Sequence, residues 1–186
     1  MRPGFRRMTG GLSMLGAVGL TVALSGCGGA SVATSTTGST PGAALPTFAL
    51  VSPVLPKSNV LPKQYACNPK IGVPPLKWSG LPANTADLAL VVFFVQRGQP
   101  EPQAALTGLK PTLSELKPGV IPHGATIAAG SKVICPTAGI AATYFIRLYA
   151  LKAPIKLAAG ASVGAVVTAI SPLATSVGSV EAHYKK

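Results

Sequence analysis

Residues 87–95 read Asp87-Leu88-Ala89-Leu90-Val91-Val92-Phe93-Phe94-Val95, an apolar run rich in Val and Phe with no helical period. A run of this length and composition predicts a β-strand buried on both faces. Thr143 to Leu151 (TYFIRLYAL) predicts a second strand of the same kind, carrying aromatic and β-branched residues. Shorter strands are expected over Phe48–Ser52 and Ser176–Tyr184. Pro53, Pro56, Pro62, Pro69, Pro74, Pro75 and Pro82 exclude long helices between the strands and favour extended segments and turns. One helix is expected near the C-terminus. Ser162 can cap it, Val163, Val166, Val167 and Ile170 fall on one face, and Pro172 ends it. The expectation is a mostly β domain with one or two short helices and no internal repeat.

Upstream of this domain the composition changes twice. Arg2, Arg6 and Arg7 precede an uncharged apolar stretch, Gly11 to Leu24, which is shorter than the roughly 20 residues a spanning helix needs. It ends in Leu24-Ser25-Gly26-Cys27: a branched apolar residue, two small residues and a thiol. That order is a lipobox. Residues 1–26 are therefore expected to be a lipoprotein signal peptide, with Cys27 the lipidated N-terminus after cleavage. Two acyl chains would anchor it stably, each buried methylene contributing about 0.8 kcal/mol. The arginine pair lacks the apolar residues a twin-arginine signal would carry next, which favours the general secretion route. Residues 27–44 are rich in Gly, Ser, Thr and Ala with no hydrophobic period, a tether. Residues 45–186 form the expected folded domain, held at the extracytoplasmic face of the cell membrane.

The chain carries 16 Lys and Arg against Asp87, Glu101, Glu115 and Glu181. Loss of Arg2, Arg6 and Arg7 with the leader leaves a mature charge near +9. The lysines are dispersed from Lys57 to Lys186, a solvated surface that also attracts anionic headgroups, by about 1 kcal/mol each when close. Nucleic acid is excluded as a partner by compartment and by scarcity of stacking aromatics. Cys67 and Cys135 remain after lipidation, an even pair that in an oxidising compartment reads as a disulfide, with two free buried thiols as the alternative. Two cysteines and the distant His123 and His183 offer too few ligands for a metal site. The four acids are scattered, His123 sits in a Pro-His-Gly turn, and no nucleophile motif or glycine-rich phosphate loop occurs. No enzyme and no cofactor is expected.

The segment Pro74-Pro75-Leu76-Lys77-Trp78-Ser79-Gly80-Leu81-Pro82 resembles the P-P-L-x-W-x-G-x-P signature of the phosphatidylethanolamine-binding protein family, in its bacterial Raf-kinase-inhibitor-like branch. Other segments are similar to that family in the same order. They are Phe48 to Pro53, Tyr65-Ala66-Cys67, Leu88 to Val92, Thr107-Gly108-Leu109, Leu116 to Gly119, Cys135-Pro136 and Tyr144 to Leu151. The resemblance covers about residues 47–184 and implies an antiparallel β-sandwich with peripheral helices.

It also implies a small anion-binding pocket built from a D-P-D segment, an H-W pair, a G-P-x-P loop and a His two residues before a Tyr. Those positions fall here on Phe94-Val95-Gln96, on Gln103-Ala104, and on Ala142; only Pro136 and Tyr144 are kept. A phosphate headgroup moved into such a site loses water without gaining a charged partner, which is costly. The resemblance therefore implies a pocket that no longer takes charged headgroups. Phe93 and Phe94 are expected to fill it or, alternatively, to line a slot for an apolar ligand. A non-catalytic binding or protein-interaction role follows from either form.

Overall fold

A computed structural model describes residues 44–55, 57–96, 98–136 and 140–184, with the side chain of Gln96 outside the description. The leader, Cys27 and the tether up to residue 43 lie outside the described residues.

Two antiparallel sheets face each other. The smaller has the order β1-β2-β5, from Ala49–Val51, Leu76–Ser79 and Glu115–Leu116. The larger has the order β6-β4-β3-β7-β8. Its strands are β3 (Asp87–Gln96), β4 (Gln99–Leu109), β6 (Thr126–Ile127), β7 (Ala142–Leu151) and β8 (Ala174–Tyr184). One α-helix, α1 (Val163–Ile170), and a single 3-10 turn at Lys63–Tyr65 complete the described elements.

β3 is the middle strand of the larger sheet, and successive side chains along a strand point to opposite faces. Leu88, Leu90 and Val92 therefore enter the core between the sheets, where they meet Leu50, Leu76, Trp78 and Leu116. Ala89, Val91 and Phe93 face the other way, under Val163, Val166 and Ile170 of α1. Ser162 caps that helix, its hydroxyl accepting from the Ala165 amide at 3.2 Å, while Val167 is only partly buried. The expectation of two-sided burial holds for β3 as far as Phe93.

It fails for β7, whose burial alternates along most of its length. Tyr144, Ile146 and Leu148 are buried, whereas Phe145, Arg147 and Tyr149 on the opposite face are partly exposed. The helix packs most closely over β4, with Phe145 and Tyr149 of β7 at the border of the same cluster. Arg147 covers part of the gap, its guanidinium 5.2 Å from the Phe93 ring centre and 5.6 Å from that of Phe145, within cation–π range.

The Pro-Pro-Leu-Lys-Trp-Ser-Gly segment becomes β2, with Leu76 and Trp78 buried and Lys77 and Ser79 outward. No composition or period pointed to β4, because Pro100 and Pro102 interrupt it. They are tolerated since β6 pairs only with Leu106 and Thr107, which leaves the proline end of β4 at a sheet edge. The opposite edge, β8, is covered. Val177 exchanges backbone bonds with Pro46 and Phe48, and His183 with Asn59 and Leu61.

Gly178 sits where β8 passes beneath β1. A Cβ there would stand 2.7 Å from both Leu50 Cβ and Phe48 Cε2. Gly178→Ala is expected to destabilise the domain by about 1–3 kcal/mol through overpacking, read as a lower urea midpoint at unchanged slope.

Candidate functional site

The end of β3 and the start of β7 bring Phe94, Ala142 and Tyr144 to one face. Phe94 is directly opposite Tyr144 in the ladder, and the two rings lie 5.3 Å apart at 39°. Neighbouring strands place opposed residues on one face, so the contact follows from register alone. Tyr144 is 1% exposed and Ala142, two residues earlier on the same face, 4%. Both belong to the core between the sheets, and Phe94 packs against it. Pro136 is buried in the loop beyond.

A disulfide joins Cys67 to Cys135, and the Cys67 amide donates to the Ile134 carbonyl at 2.8 Å. The bridge spans 68 residues, a closure contributing about 4 kcal/mol in the chain-entropy account. It holds the 134–136 loop against Tyr144, whose phenol oxygen meets the backbone amide of Cys135. Burial pushes the Tyr144 pKa above the ordinary value of 10.0, and that amide opposes the shift without cancelling it.

Phe93 does not share this position. Adjacent to Phe94 on one strand, it points to the helix side and packs beneath α1, which corrects the expectation that both rings fill the pocket. Gln103 is not gathered in either. Val92 pairs with Ala104 and Phe93 with Pro102, so Gln103 is the extra residue of a β-bulge and opposes no residue of β3. Its carbonyl accepts from the Lys132 amide at 2.9 Å. Gln96 pairs with Gln99 through the backbone at the hairpin end.

The acids are distributed. Asp87 lies at the opposite end of β3, paired with Leu151. Burial raises its pKa, while backbone amides of Leu88 and Ile155 oppose the shift. Glu115 stands 3.9 Å from Lys77 and 3.7 Å from Lys117. Glu181 lies 3.4 Å from His183, whose Nδ1 is 3.1 Å from the Thr143 hydroxyl. Sequence reading passed over Glu101, which the ladder sets opposite Phe94, exposed at the rim. Only the pairing of β3 with β4 reveals it. Among the described residues no three His, Cys, Asp or Glu side chains cluster as a metal site would require.

A sandwich of a three-stranded and a five-stranded antiparallel sheet, with the 134–136 loop pinned beside a buried tyrosine, defines the class. Residues 51–185 match the sequence profile of the phosphatidylethanolamine-binding protein family. The chain belongs to that family. Among solved structures it is similar to a phosphatidylethanolamine-binding protein homologue from Chlamydia trachomatis, with a TM-score of 0.65 and 22% identity. That likeness covers 75% of this chain and 98% of the other. It is also similar to E. coli YbcL, described as a member of the mammalian family, with a TM-score of 0.63 and 19% identity over 75% and 98% of the two chains. No curated protein matches.

Because the folded phenol of Tyr144 resists ionisation, the unfolded chain releases that proton first as pH rises. Its contribution is complete below about pH 10 and is lost as pH climbs through the higher folded value. Denaturant unfolding between pH 8 and 11.5 is expected to show stability falling above pH 10, and Tyr144→Phe to remove that part of the decline.

Proposed function

We propose that this chain is an exported, lipid-anchored member of the family, in its Raf-kinase-inhibitor-like branch, with a non-catalytic binding or interaction role and the inherited anion position closed. The observation that carries this reading is the Phe94–Tyr144 ring pair, 5.3 Å apart. It stands where the resemblance places an acid beside the conserved phenol, and Ala142 stands where it places an imidazole. With those groups gone, a phosphate brought to Tyr144 finds apolar carbon and no cation, so desolvation is uncompensated. The acids support a non-catalytic role: Asp87 is at the far end of β3, Glu115 and Glu181 are engaged at the surface, and Glu101, exposed at the rim opposite Phe94, is a single carboxylate that would repel an anion.

The rival, an apolar slot between Phe93 and Phe94, is disfavoured because those rings lie on opposite faces of β3. Attachment is assigned to lipid on Cys27. Among the described residues no helix is long and apolar enough to cross a membrane.

Crystals grown with phosphate, and calorimetric titration with phosphate and glycerophosphoethanolamine, test the closed position. No ordered ion beside Tyr144 and Pro136 and no heat of binding are expected; a well-occupied phosphate there overturns the reading. For the anchor, Cys27→Ala is expected to abolish the acyl mass on the mature N-terminus and to move the protein from the membrane fraction to the soluble one.

A further inference from the structure

Beside the inner faces of β3 and β4, three loops border a half-open cavity of about 320 Å3, within the range of small-molecule sites. Its floor is hydrocarbon: Leu90 and Val92 of β3, Ala104 and Leu106 of β4 and Leu116 of β5. Of the positions that the resemblance assigns to the anion pocket, Ala104 lines it and Phe94, Gln103, Pro136, Ala142 and Tyr144 do not, so it adjoins the position considered above and is centred elsewhere.

The walls are residues 69–73, 117–121 and 131–133, and they are fixed to one another and to the sheet. The Gly119 amide donates to the Ile71 carbonyl at 2.9 Å. Gly119 has a positive φ of 70°, and a side chain there would collide with the carbonyl oxygen of Lys70, so the two walls meet backbone to backbone. The third wall is tied to β4 through Lys132 and Gln103. The Cys67–Cys135 bridge joins the chain entering the first wall to the chain leaving the third. A cavity held this way is largely preformed, and binding there costs little ordering.

Two independent features indicate the occupant. Val120, Ile121 and Ile127, exposed by 54%, 54% and 50%, crowd the mouth, so apolar surface continues outward from the floor. Lys70, Lys117 and Lys132 also line the cavity. Lys117 stands 3.7 Å from Glu115, but Lys70 and Lys132 have no carboxylate within ion-pair distance among the described residues. Free phosphate would leave the hydrocarbon floor unused, and a neutral oil would leave the ammonium groups unused. A volume of this size between backbone-tied walls admits one chain. The geometry points to a fatty-acid carboxylate, with its chain on Leu90, Val92 and Leu106 and its head between Lys70 and Lys132.

The test is calorimetric titration of the full chain with octanoate, decanoate and laurate below their micelle concentrations, beside dodecanol. One-to-one binding is expected, tightening about fourfold per added methylene. Ala104→Phe fills the floor and is expected to abolish laurate binding. Ile121→Asp, at an exposed position, is expected to weaken it by at least about tenfold through lost apolar contact and charge repulsion, and it decides the matter alone if Ala104→Phe does not fold. Lys70→Gln combined with Lys132→Gln is expected to weaken laurate by roughly three- to tenfold and leave dodecanol unchanged.

No laurate binding, affinity independent of chain length (as for an apolar surface that receives a protein partner), dodecanol as tight as laurate, or indifference to Ile121→Asp overturns the assignment. The position of phosphate in the crystal reads Tyr144, and the chain-length dependence of fatty-acid binding reads this cavity, so failure of either proposal leaves the other standing.

Discussion

Along β3 two rows of side chains alternate, Leu88, Leu90 and Val92 on one face and Ala89, Val91 and Phe93 on the other, and both are withdrawn from water. A strand with two apolar faces needs cover on both, and each cover in this protein answers one row. The three-stranded sheet closes over the first through Leu50, Leu76, Trp78 and Leu116; α1 closes over the second through Val163, Val166 and Ile170. Burial of a branched aliphatic side chain contributes about 1.5–3 kcal/mol, so these two rows dominate what holds the layers together. The flanking strands then fall into place by register with β3, and β8 is sealed by the chain that leads into β1 and the chain that follows it.

The same inner row carries the chemistry of the family's site. Continued past Val92 it reaches Phe94, and pairing with β7 sets that ring against Tyr144. A carboxylate at this place would sit at the end of an apolar row with one face open to water. A phenyl ring instead extends the row and joins the core. The proposed replacement of a polar recess by a ring contact would therefore need no alteration of backbone path.

The lysine-rich surface follows from the scarcity of acids. With four acids in the chain, few cations find partners, and Glu115 alone serves both Lys77 and Lys117. Positive potential therefore remains around the loops that wall the cavity. A domain held near a membrane by its N-terminus would meet anionic amphiphiles at high local concentration, and dispersed positive charge favours that encounter.

Much of the fold could be read from local chemistry. Unbroken apolarity at residues 88–95 reported burial on both faces as far as Phe93, the Ser162 cap with its valine spacing reported α1, and the order of short motifs from Phe48 to Leu151 reported the family. The outer face of β7 misled, because an aromatic and β-branched run looks the same whether or not a helix lies over it; α1 is eight residues long and packs over β3 and β4. Phe93 and Phe94 were adjacent letters, and only strand geometry sends them into different cores. β4 was hidden by its prolines, Glu101 by its distance along the chain from Phe94, and Gln103 by the bulge that removes it from register. The sequence by itself determined which residues must leave water, since hydrophobicity is a property of single side chains. The tertiary structure alone decided which of them meet, because register, bulges and loop ties arise from pairings between residues far apart in the chain.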